Sequence, residues 1–152
     1  GKGLYTVNAP KVQAAAGFLA QAGPIQLANL RITCANPYAT VVAIALDDQP
    51  LARSGKVLIQ VGTTCRPAGW AARPANFSAA NARVAGFRIL ETGGKTWQIE
   101  KTDAQVTLQN TAVQRAHSLD ANLMPIRNLE ATSTAAGLTV RLPADALYVL
   151  LE

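Results

Sequence analysis

Residues 38–62, YATVVAIALDDQPLARSGKVLIQVG, decide the fold. Val41, Val42, Ile44 and Leu46 make the first half apolar on both faces, the pattern of a strand buried between two layers. Asp47, Asp48, Gln49 and Pro50 then break the strand, because Pro50 has no amide to donate and the aspartates compete for backbone groups. Ser54 and Gly55 make a second break, and Val57, Leu58, Ile59, Gln60 and Val61 form the return strand. The segment reads as a β-hairpin with a polar loop.

Upstream, residues 4–7 form a short strand ended by Pro10. Residues 11–20, KVQAAAGFLA, fit helical spacing through Val12, Ala16 and Leu19, and strand spacing through Val12, Ala14, Ala16 and Phe18. Gly17 disfavours a helix by about 1 kcal/mol, so a strand is expected. Residues 25–34, IQLANLRITC, alternate with a phase slip at Ala28 and Asn29, which predicts a bulge or bend.

Downstream, residues 63–78, TTCRPAGWAARPANFS, contain Pro67, Gly69 and Pro74 and show no periodicity. They read as a long irregular loop, of a length usually associated with function or mobility. Residues 79–85 suit a helical turn or an edge strand. Residues 86–91 read as a strand, residues 92–95 (TGGK) as a hairpin turn, and residues 97–100 as the returning strand. Residues 104–109, 113–119, 138–142 and 147–151 follow as strands. About ten short strands with turns every 8–12 residues or so imply an all-β antiparallel sandwich, immunoglobulin-like or jelly-roll-like, as one domain over residues 1–152.

The composition narrows the classes of function. The net charge is +5, but the 14 Lys and Arg are scattered with no run of three, so no nucleic-acid partner is expected. No apolar run reaches the roughly 18 residues of a membrane helix, and no membrane partner is expected. The first three residues, Gly1, Lys2 and Gly3, look like a processing edge of a longer chain. Few charges and many Ala, Thr, Asn and Gln resemble secreted β-proteins. Cys34 and Cys65 allow two readings. One is a pair of buried thiols. The other is a disulfide closing a loop of about 30 residues, worth roughly 3–4 kcal/mol. The secreted-type composition favours the bridge.

No nucleophile elbow, zinc helix motif, phosphate loop or dinucleotide fingerprint is present. His117, the single histidine, reads as structural, and neither a metal site nor a cofactor is expected. Asp47 and Asp48 fit turn formation better than calcium, which needs more oxygen ligands nearby. Glu91 and Glu100 flank the expected hairpin turn and could face each other across it, as paired carboxylates do in glycosidases, although exposed strand carboxylates are far commoner. Trp70 lies in the irregular loop with Arg66, Arg73 and Phe77. It either stacks on a sugar ring, with the arginines bonding hydroxyls, or folds back as a plug. Trp97 alternates with Ile99 and suits the core, with sugar stacking as its other reading.

A resemblance rests on three segments. Residues 36–63, NPYATVVAIALDDQPLARSGKVLIQVGT, resemble the ALDGKPLAESxRLLLTAVG hairpin of accessory β-sandwich domains that follow (β/α)8-barrel catalytic domains in glycoside hydrolases. Residues 4–19 are similar to the opening of those domains through Val7, Pro10, Gln13, Gly17 and Phe18. Residues 113–126 and 138–152 resemble their closing strands. Two features depart from the pattern: Asn122-Leu123 replaces an Asn-Gly type turn, and residues 62–70, GTTCRPAGW, replace an Ala-Glu-Asn-Thr-Gly-like run. The resemblance implies a secreted, non-catalytic accessory module of a polysaccharide-degrading enzyme. Its partners would be a polysaccharide or oligosaccharide and a catalytic domain in the same parent chain. Trp70, Arg66, Arg73, Phe77 and Trp97 are the candidate glycan-binding residues. The alternative is a purely structural domain that packs on the barrel and has no glycan affinity.

Overall fold

A computed structural model describes residues 3–152; Gly1 and Lys2, part of the expected processing edge, lie outside the described residues. These residues form sixteen strands and one four-residue helical turn, and every strand pairing is antiparallel. The strands are β1 (Leu4–Asn8), β2 (Val12–Gly17), β3 (Ile25–Gln26), β4 (Leu30–Cys34), β5 (Ala39–Ala45), β6 (Val57–Thr63), β7 (Cys65–Pro67) and β8 (Trp70–Ala79). They continue as β9 (Ala82–Thr92), β10 (Trp97–Ile99), β11 (Ala104–Leu108), β12 (Ala116–Leu119), β13 (Pro125–Leu129), β14 (Ala131–Thr134), β15 (Gly137–Arg141) and β16 (Tyr148–Leu151). The helical turn is α1 (Leu19–Ala22). The fold is the expected all-β sandwich, with more strands than the ten anticipated.

The chain divides into two compact units, residues 3–63 with 101–152, and residues 64–100. The first unit is the sandwich. One sheet has seven strands in the order β1-β2-β5-β6-β16-β12-β13, and the other has five in the order β14-β15-β11-β4-β3. Alternate residues of both sheets meet in one core. Val41, Val61, Ile59, Val149 and Leu151 come from the larger sheet, and Leu30, Ile32, Val106, Leu108, Leu138 and Val140 from the smaller.

The outer faces differ in chemistry. On the five-stranded sheet, Arg31, Thr107 and Thr139 sit in one cross-strand row, with the Thr107 and Thr139 hydroxyls 2.8 Å apart. That is an ordinary wet face. On the seven-stranded sheet, Val12, Ile44, Leu58, Leu150 and His117 form one row, and Ala14, Val42, Gln60, Tyr148 and Leu119 the next. The two-faced apolar pattern of residues 41–46 therefore has a different cause from the one expected. Val41 and Ala43 are buried in the core, whereas Val42 and Ile44 are only half-buried on an apolar outer face and Leu46 is exposed.

Three buried amides tie loops to the sandwich. Gln13 accepts from the Asn29 amide at 2.9 Å. Asn36 donates to Lys101 O at 2.8 Å and accepts from the Asp103 amide at 2.8 Å. Asn110 donates to Leu51 O and Ser54 O. Each satisfies backbone groups that burial would otherwise leave unpaired.

The motifs that carry the family resemblance do structural work here. A Cβ on Gly17, whose φ is +136°, would collide with the Gly3 carbonyl. The Phe18 ring packs edge-on against Tyr38 at 5.5 Å. Pro10 O accepts from the Leu51 amide at 2.8 Å, joining the opening segment to the hairpin loop.

Several local expectations are corrected. Residues 11–20 are a strand only as far as Gly17; Leu19 then begins α1. The phase slip at Ala28 and Asn29 reverses the chain, so that β3 pairs back on β4 through Ile25 and Ile32. The disulfide between Cys34 and Cys65 is not formed. Cys34 is buried at the end of β4 with its thiol 3.6 Å from Asn36 Oδ1, and Cys65 opens β7 on an exposed position.

The second unit is a long two-stranded ribbon, not an irregular loop. Strand β7 pairs with β10, and β8 pairs with β9 over most of their length. Ala80 and Asn81, with φ of +43° and +69°, make the two-residue turn at its tip. Residues 92–95 are not a hairpin turn. They kink one strand, with the Gly94 amide donating to Ala68 O at 2.8 Å and the Ala68 amide to Thr96 O at 2.6 Å. Glu91 and Glu100 consequently do not face each other: Glu91 pairs with Ala71, and the Glu100 amide bonds Thr64 O.

Candidate functional site

The candidate residues fall on the ribbon and are sorted by its register. Cross-strand partners share a face, so Ala72 with Ile89, Pro74 with Phe87, and Asn76 with Ala85 lie on one side. Trp70 is in phase with Ala72 and Pro74 on β8. The other side carries Arg73 with Arg88, Ala75 with Gly86, and Phe77 with Val84. Leu90 is the extra residue where the register shifts between Ala71 and Ala72.

On the first side, Arg66, Trp70, Ala71, Ala72, Phe87 and Ile89 line an open groove of about 560 Å³. Trp70 is half-buried along it, and Phe87 is 70% exposed. The groove therefore combines two aromatic rings, an aliphatic side chain and one guanidinium, a set suited to an apolar ring face bearing polar substituents. It brings together Trp70 and Arg66 of the expected site. Phe87 and Ile89 had read only as strand residues, and no spacing rule linked them to Trp70 before the ribbon paired.

The other expected residues lie elsewhere. Arg73 is on the opposite side, directly across from Arg88. Phe77 is on that side too, and its ring lies over Gly86, where an added Cβ would come within 3.2 Å of Cε2. A glycine beneath an aromatic ring on a neighbouring strand is a known way to cover exposed backbone. Trp97 pairs with Pro67 in the β7–β10 segment and is 63% exposed, so its reading as a core residue is overturned.

The ribbon carries Arg66, Arg73, Arg83, Arg88 and Lys95 against Glu91 and Glu100, a net +3. Among the described residues, the ion pairs lie in the sandwich: Lys11–Asp48, Arg127–Asp145 and Arg141–Asp103; His117 also lies beside Glu152 there. None of the ribbon's cations takes part in one.

The remaining candidates, Asp47 and His117, each make local contacts. Asp47 Oδ1 accepts from the Gln49 amide at 3.1 Å and Oδ2 from the Gly55 amide at 2.9 Å, which closes the hairpin loop. Desolvation pushes its carboxyl up, but hydrogen bonds from the Ser54 side chain and from these amides outweigh it and hold the pKa below the usual aspartate value. His117 Nδ1 lies 2.9 Å from Asn128 Oδ1. Its Nε2 is 3.2 Å from Glu152 Oε1 without hydrogen-bond alignment. Among the described residues, no group of three or more His, Cys, Asp or Glu gathers to hold a metal ion. No helix among them is long and apolar enough to cross a membrane.

Comparisons with protein-family models, with curated protein sequences and with solved structures each return no match.

Proposed function

We propose that this chain is a non-catalytic carbohydrate-binding module, the accessory β-sandwich of a secreted polysaccharide-degrading glycoside hydrolase. The groove between Trp70, Phe87 and Arg66 carries this reading. Its rings offer flat apolar surface to the C–H face of a sugar, and Arg66 offers donors to hydroxyls. Affinity gel electrophoresis on a panel of soluble polysaccharides tests it. Retardation on at least one polymer, abolished by Trp70→Ala, is the expected result. Unretarded migration on the whole panel removes the reading.

A second reading, a structural domain that packs on a catalytic barrel, is favoured by the outer face of the seven-stranded sheet. The half-buried row of Val12, Ile44 and Leu58, continued by the buried Leu150, is apolar where the other sheet's outer face is polar. An apolar sheet face of this kind suits burial against a neighbouring domain. Under this reading, Ile44→Asp lowers the melting temperature of the parent enzyme more than that of the isolated chain. Equal losses in the two count against it.

A further inference from the structure

Arg73 and Arg88 stand directly opposite each other on the ribbon, both exposed, and neither has an ion-pair partner among the described residues. Like charges at directly opposed positions destabilise a strand pair. A ribbon built only for stability would place a carboxylate or a neutral residue at one of the two. The pair is therefore a cost to the fold that an anion could offset. Opposed Cβ atoms lie about 4.5–5.5 Å apart, so one carboxylate or sulfate can accept from both guanidinium forks.

The neighbouring residues narrow the choice of anion carrier. Phe77, the aromatic on this face, lies over Gly86 and is 40% exposed, with Ala75 and Val84 as its other neighbours. One partly covered ring is a small stacking platform for the successive bases of a nucleic acid, whereas acidic substituents of a saccharide chain need only the guanidinium groups. The stacking surface is on the opposite face, at Trp70 and Phe87.

We propose that the Arg73–Arg88 pair binds the acidic groups of an anionic polysaccharide, as uronate carboxylates or sulfate esters. The inference rests on the glycan-binding reading and adds to it a second contact on the face opposite the Trp70 groove, with a preference for acidic polymers.

Titration of the whole chain with polygalacturonate, with a sulfated galactan and with a neutral galactan tests it. Binding to an acidic polymer is expected to be at least about tenfold tighter than to the neutral one, and to weaken by a similar factor in about 0.5 M salt. The first two polymers separate carboxylate from sulfate. Arg73→Gln with Arg88→Gln should abolish the preference for acidic polymers. Arg73→Glu places a carboxylate opposite Arg88 and should leave the ribbon at least as stable, as read by amide exchange, while abolishing acidic binding. That variant separates lost binding from lost folding. Equal affinity for neutral and acidic polymers, or an unchanged preference in the double variant, overturns this inference and leaves the glycan-binding reading standing. No binding to any glycan overturns both. Equal affinity for polyglutamate or duplex DNA also overturns it, because the pair would then be a general anion sink.

Discussion

The side-chain amide of Asn110 donates to the Leu51 and Ser54 carbonyl oxygens, at 2.8 and 2.7 Å, and so folds the loop between β5 and β6 onto the sandwich. Leu51 is fully buried at that point, and Asn110 is almost so. The loop that began as a polar break in a hairpin is an anchored part of the core. Asn110→Ala leaves two buried carbonyls without a donor and is expected to cost about 2–3 kcal/mol. Urea unfolding of the two proteins measures it, and a loss below about 0.5 kcal/mol would mean that water replaces the amide.

Acid should weaken the same loop through Asp47. Its folded pKa is lowered, so the carboxylate stabilises the fold above its unfolded value of about 3.9, and that contribution is lost as pH falls through the folded value. Asp47→Asn should therefore flatten the dependence of stability on pH at the acid end and leave it unchanged near neutrality. Denaturation midpoints from pH 6 down to about pH 3 decide the matter. Identical slopes for the two proteins would show that the Asp47 bonds contribute nothing.

Gly93 is required by the kink of the ribbon. Its φ is +77°, and an added Cβ would lie 2.7 Å from Ala68 O and 2.8 Å from Pro67 Cβ. Gly93→Ala is expected to loosen the β7–β10 pairing, because both the conformation and the approach exclude a side chain. Amide exchange should rise at Ala68 and Gly94, the donors of the kink's two bonds, while the core amides of Val41 and Val106 keep their protection. Uniform loss of protection would mean that the two units do not open separately.

Leu123 adopts a φ of +64° in the turn between β12 and β13, a conformation that costs a branched residue roughly 1–2 kcal/mol. Asp120 Oδ1 holds the turn by accepting from the Asn122 and Met124 amides. Leu123→Gly creates an Asn-Gly turn, whose glycine accepts positive φ without strain, and should raise stability by about 0.5–1 kcal/mol after the entropy cost of glycine. Thermal unfolding reads the change, and a lowered midpoint would assign the exposed Leu123 side chain a contact that outweighs the strain.

Trp70 and Trp97 should respond differently to glycan. Trp70 lines the groove, whereas Trp97 lies in the β7–β10 segment beside Pro67. Ligand should shift the fluorescence of Trp97→Phe, which retains Trp70, and leave Trp70→Phe unchanged. The reverse pattern would move the site to β10.

Much of the sandwich is legible in the chain. Residues 104–109 alternate because β11 buries Ala104, Val106 and Leu108 and exposes or half-exposes Gln105 and Thr107. One buried face imposes a period of two. The outer apolar row was legible as composition but not as location, since Val42 and Ile44 look the same whether a second layer or a partner covers them. The ribbon was legible only in part: residues 86–91 and 97–100 read as strands and fall on β9 and β10, whereas residues 63–78 did not read as a strand. Pro67, Gly69 and Pro74 break its pattern. A proline within a strand is tolerated there because both strands are edges.

By itself the sequence determined an all-β sandwich and most of its strands, though not β13 and β14, because burying one face of each sheet writes itself into the spacing of side chains. Only the tertiary structure decided that residues 64–100 pair as a ribbon, that Trp70 meets Phe87, and that Arg73 faces Arg88. Neither face of the ribbon is buried, so its alternation was never constrained by a core. Its register is set instead by backbone pairing, the kink at Gly93 and the turn at Ala80 and Asn81.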